Sequence, residues 1–106
     1  MKLRISGRSL RVRLLHQEVQ RLAREGHLQE ELLLPPGRAL RYRLALAQEV
    51  SGLTASFSGE LLEIRLPRTE ALAWCHGEEV ALEGTVRQGE SEVRIAIEKD
   101  FDSFPG

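Results

Sequence analysis

The chain has 106 residues, 42% hydrophobic and 29% charged, with a formal net charge of −1. That fits one globular domain able to bury a core without staples. The lone cysteine, Cys75, excludes an intramolecular disulfide, and no apolar run approaches the roughly 20 residues that span a bilayer.

Elements follow from hydrophobic period and punctuation, taken along the chain. Leu3 and Ile5 alternate with Lys2 and Arg4, the pattern of a half-buried strand. Ser6-Gly7-Arg8-Ser9 is a turn, after which Leu10, Val12 and Leu14 alternate with Arg11 and Arg13 in a second strand. Residues 16–25 switch to helical period with Val19, Leu22 and Ala23 on one face, and Gly26 is placed to end the helix. A third strand spans about 27–34, broken by Pro35-Pro36-Gly37. A fourth, about 39–47, sets Leu40, Tyr42, Leu44 and Leu46 opposite Arg41 and Arg43. The order then recurs, with strands near 53–58 and 61–66 and a short helix opened by Pro67 in its first turn. Ala71 and Trp74 face inward, and Gly77 ends the helix. Strands near 78–86 and 92–99 follow, and 101–106 reads as an irregular tail.

This recurrence is an internal repeat at a constant offset of 52 residues. Ser6, Gly7, Leu10, Arg13, Leu14 and Glu18 are identical to Ser58, Gly59, Leu62, Arg65, Leu66 and Glu70. More loosely, Leu28 aligns with Val80 and Glu31 with Glu83. The expected architecture is therefore α+β: duplicated ββαββ units, 1–52 and 53–100, forming one domain over 1–106. Neither half closes a core alone, so the two copies are expected to pack about a pseudo-twofold as a β-barrel with two short helices.

Gly7-Arg-Ser-Leu-Arg-Val-Arg-Leu14, followed by a helix and a strand, resembles the signature of AbrB/MazE-type swapped-hairpin domains. Gly59-Glu-Leu-Leu-Glu-Ile-Arg-Leu-Pro67 repeats it, and Gly77-Glu-Glu-Val-Ala-Leu-Glu83 is similar to the strand after that family's helix. In that family two such subunits interleave hairpins, and this chain looks like both fused. The whole chain also resembles a small bacterial family of unknown function whose members open as Met1–Ile5 does and close as Ile97–Phe101 does.

The swapped-hairpin resemblance implies duplex DNA as partner, held by basic side chains near the first turn and the adjoining strand. Carried over, these are Arg4, Arg8 and Arg13 in the first copy and Arg65 in the second. Ser56 and Glu60 stand at the other two matching positions, and Glu60 and Glu63 would repel phosphates. The residues themselves suggest one basic face of Lys2, Arg4, Arg11, Arg13, Arg41 and Arg43.

Other chemistry is sparse. His16, His27 and His76 do not match one another under the offset, and Cys75-His76 gives two adjacent ligands where zinc needs three or four. Cys75 aligns with Ala23 and Trp74 with Leu22, which reads as core and not catalysis. Glu98, Asp100 and Asp102 alternate and are expected to share one face, solvated or holding a hard cation. No phosphate loop, catalytic triad spacing or dinucleotide fingerprint is present, so no cofactor or metal is implied and no enzyme class is favoured.

Residues 1–52 carry ten Lys/Arg and five Asp/Glu, a charge of +5, and residues 53–106 carry five and eleven, a charge of −6. A protein-interaction module using this split, toward a partner or itself, is the alternative to a DNA-binding regulator or antitoxin relative. An enzyme of unknown type is the third reading. The charged Met1–Ile5 start does not read as a signal peptide, so a cytoplasmic chain with no membrane partner is expected.

Overall fold

The computed structural model describes residues 1–105. From the first half come β1 (Lys2–Ser6), β2 (Ser9–Leu14), α1 (His16–Glu25), β3 (His27–Leu34) and β4 (Arg38–Ala47). From the second come β5 (Thr54–Ser58), β6 (Leu61–Pro67), α2 (Arg68–His76), β7 (Ala81–Gln88) and β8 (Ser91–Lys99). The tail is not wholly irregular, since Phe101–Ser103 form a 3-10 turn whose N-cap, Asp100, accepts the Asp102 N–H at 3.2 Å. Gly106, the end of the expected tail, lies outside the described residues. No described helix is long and apolar enough to cross a membrane.

The fold is α+β, with eight strands in two four-stranded sheets ordered β1-β2-β8-β7 and β3-β4-β6-β5. Each sheet takes one hairpin from each half and joins them through a central parallel pair, β2 with β8 or β4 with β6. Hydrophobic period locates the strands but does not reveal this exchange, because parallel neighbours are far apart in sequence.

The β-barrel expected from sequence does not close. β1 and β7 end one sheet, and β3 and β5 end the other. Closure requires edges that pair by backbone. At one seam the sheets meet through side chains instead: Leu53, just before β5, packs on the bare backbone of Gly84 in β7, where an added Cβ would lie 3.1 Å from the leucine Cβ. At the other seam the Met1 ammonium lies 2.9 Å from Glu30 Oε2 and also pairs with Glu18.

The two halves use matching positions in matching ways. Val12 and Ile64, Leu14 and Leu66, Val19 and Ala71, and Leu22 and Trp74 are buried at the 52-residue offset, while Leu62 is only half-buried where Leu10 is buried. Gly7 and Gly59 share φ +56° at the β1–β2 and β5–β6 turns, a left-handed conformation that favours glycine. The register then slips. Leu28 in β3 pairs with Leu44 as Leu82 in β7 pairs with Ile97, so Leu28 corresponds to Leu82 and not to Val80. Val80 lies before β7 and is exposed, and Glu31 corresponds by the same slip to Thr85. The cause is the longer link after α2, where Gly77–Val80 stand in place of Gly26 alone.

Helix starts also diverge. Glu18 Oε1 accepts the Leu15 N–H at 2.9 Å, the N3-to-N-cap half of a capping box, since the Leu15 side chain has no acceptor to return. Its counterpart Glu70 has no such bond, because the N-cap of α2 is Pro67, which has no N–H to donate.

Candidate nucleic-acid interface

Alternation on β1 and β2 sends Leu3, Leu10, Val12 and Leu14 toward the core and the intervening residues outward. Antiparallel pairing sets Lys2 opposite Arg13 and Arg4 opposite Arg11, so four cations form two adjacent rows. Across the parallel pair, Arg13 neighbours Glu98, and Ser9 neighbours Arg94. The outer face of this sheet therefore carries Lys2, Arg4, Arg11, Arg13 and Arg94 against Glu98 and Glu83, with Arg87 and Glu92 paired to each other farther along it at 3.1 Å. The contact of Arg11 with Glu98 is long, at 3.8 Å. Among the described residues, Lys2, Arg4, Arg13 and Arg94 form no ion pair.

The equivalent face of the other sheet is neutralised from within. Arg41 pairs with Glu31 at 3.3 Å and Arg43 with Glu63 at 3.3 Å. Arg65 pairs with Glu63 at 3.0 Å and with Glu49 at 2.7 Å. The expected continuous basic face is thus split: Lys2, Arg4, Arg11 and Arg13 lie together, whereas Arg41 and Arg43 lie on the other sheet among carboxylates. Arg65, carried over from the resemblance, stands apart from the other three and is fully engaged.

Arg8 also departs from the strand face. It lies in the two-residue turn between Ser6 and Ser9, and its carbonyl accepts the Arg94 N–H at 2.8 Å. Its counterpart Glu60 accepts the Arg41 N–H through its own carbonyl at 2.9 Å. The Glu60 carboxylate is no free phosphate-repelling charge. It pairs with Arg38 and accepts the Ala39 N–H at 3.2 Å, and these bonds, Arg38 first, hold its carboxyl below the usual range.

Glu98, Asp100 and Asp102 do not share a face. β8 ends at Lys99, leaving Glu98 on the sheet while Asp100 caps the 3-10 turn. No metal-holding group of three His, Cys, Asp or Glu side chains occurs among the described residues. Burial pushes the Cys75 thiol up, with the Lys99 charge pulling the other way, which gives no activated nucleophile.

Sequence reasoning missed Arg94, whose place beside Arg11 depends on the β2–β8 pairing. Within the fold the interleaved sheets bring first-half arginines onto second-half glutamates, as in Arg38–Glu60, Arg43–Glu63 and Arg11–Glu98.

No curated protein and no solved structure matches the chain. A family model described as a family of unknown function, DUF7009, matches residues 1–104, and the chain belongs to that family.

Proposed function

We propose that this chain is a non-enzymatic binding protein that holds duplex DNA on the outer face of β1 and β2. The observation that carries the reading is the pairing of Lys2 with Arg13 and Arg4 with Arg11, four cations in register, of which Arg11 alone forms an ion pair, with Glu98, among the described residues. Such a surface releases condensed counterions when phosphates replace them. The finer fold reading goes with it: two fused swapped-hairpin units, of which one kept its basic arm while the other exchanged it for internal ion pairs. A regulator or antitoxin relative working in the cytoplasm is the corresponding role.

The test is retention on duplex DNA across a salt series. Four phosphate contacts predict a slope of log K against log salt of about −3.6. Arg4→Glu together with Arg13→Glu should abolish retention, with folding checked by circular dichroism. Absence of binding by the unaltered chain at low salt overturns the reading.

A further inference from the structure

We propose that the open edge of β1 accepts an extended peptide segment alternating acidic and apolar residues, added as a fifth strand to the first sheet. The inference rests on the edge and the cleft beside it and stands apart from the DNA reading.

β1 is a terminal strand with no strand neighbour on its outer side. The facing edge, β3, is terminal too, and the seam between them opens into a cleft of about 630 Å³. Leu3, Leu32, Leu40 and Tyr42 line it, with Lys2 and Arg13 on the β1–β2 side and the carboxylates of Glu18, Glu31 and Asp100 also in its wall, so the charge preference comes from the strand face and not from the cleft. Farther along the same strand faces, Ile5 is 66% exposed and Leu34 46%. At the opposite seam Leu53 packs against Gly84.

The strand itself specifies the occupant. A segment laid along β1 meets Lys2 and Arg4 on one face and Leu3 and Ile5 on the other. Cross-strand neighbours prefer opposite charge and apolar contact, so the partner alternates carboxylate and apolar side chains. Backbone bonds to the free edge give affinity, and the alternating side chains give selectivity. A second copy pairing β1 with β1 would bring Lys2 and Arg4 against like charges, which is how natural edges resist self-association. Duplex DNA offers neither a strand backbone nor apolar groups for the cleft.

The probe is a synthetic peptide of roughly eight residues alternating Glu and Val, a usual strand length, titrated onto the full chain. Binding is read by fluorescence anisotropy and by hydrogen-exchange protection of the β1 amides. Ile5→Asp should weaken it about tenfold or more, a loss of 1.4 kcal/mol. Phe57→Asp, at the equally exposed matching position on the β5 edge, should leave it unchanged. Both sites are exposed, so neither variant threatens the core. Equal binding of a Lys-Val peptide, equal loss in both variants, or no binding at millimolar peptide overturns the proposal. A dimer in light scattering that Ile5→Asp dissolves assigns the edge to a second copy and overturns it as well. DNA retention should survive Ile5→Asp, so the two readings fail independently.

Discussion

The Lys99 ammonium sits 5.0 Å from the centroid of the Trp74 ring and donates to the Gly77 carbonyl at 2.8 Å. Lys99 is 5% exposed, and Trp74 is buried. In the first half Leu22 and Leu46 stand at the equivalent positions: the Leu46 N–H bonds to the Gly26 carbonyl as the Lys99 N–H bonds to that of Val80, and both leucines belong to or pack on the core. The second half thus replaces an apolar pair by an aromatic ring and a cation that also satisfies the end of α2.

Trp74→Ala is expected to cost roughly 3–5 kcal/mol in denaturant unfolding, the range for a large buried ring. Lys99→Ala should cost about 1.5–3 kcal/mol through the lost charge-assisted bond. Trp74→Leu with Lys99→Leu, which copies the first half, should be less costly than the sum of the two single changes. Additive losses would show that the two side chains do not act as a unit.

The basic rows predict which arginines matter for DNA. Arg13→Ala should reduce the magnitude of the salt slope by about 1. Arg65→Ala, at the matching position of the second half, should leave retention unchanged, since Arg65 is held by Glu49 and Glu63. Arg8→Glu, at the hairpin turn, should weaken retention less than Arg13→Glu. Equal effects of Arg13→Ala and Arg65→Ala would mean that binding does not follow the unpaired face.

Glu60 makes acid stability depend on the β5–β6 turn. Its folded pKa is lowered by Arg38 and the Ala39 N–H, so the bond stabilises the fold above the ordinary carboxylate value of 4.5 and is lost as pH falls below it. The melting temperature should therefore drop more steeply on acidification in the unaltered chain than in Glu60→Gln. Parallel curves would place the acid sensitivity elsewhere.

Cys75 should behave as a packing residue. Burial raises its thiol pKa, so alkylation by iodoacetamide near neutral pH should be slower in the folded chain than in the unfolded one. Faster reaction in the folded state would restore it as a candidate nucleophile.

The sequence by itself determined the element order, the hairpin turns at Gly7 and Gly59 and most of the core. Alternation at Leu10, Val12 and Leu14, the helical spacing of Val19 and Leu22, and Gly7 and Gly59 are local signals, and local signals survive in a linear string. It also located Arg4 and Arg13 on one strand face each. The tertiary structure alone decided which hairpins share a sheet, that the sheets stay open at β1 and β3, and which charges end up paired. Arg41, Arg43 and Arg65 look as basic in sequence as Arg4 and Arg13. Glu63 stands two residues from Arg65 on the same strand, but Glu31 reaches Arg41 through the β3–β4 hairpin, Glu63 reaches Arg43 through the β4–β6 pairing, and Glu49 reaches Arg65 from outside the strands. Whether a cation is free to meet a phosphate depends on that three-dimensional neighbourhood, because Coulomb attraction acts through space and is felt over a few ångströms.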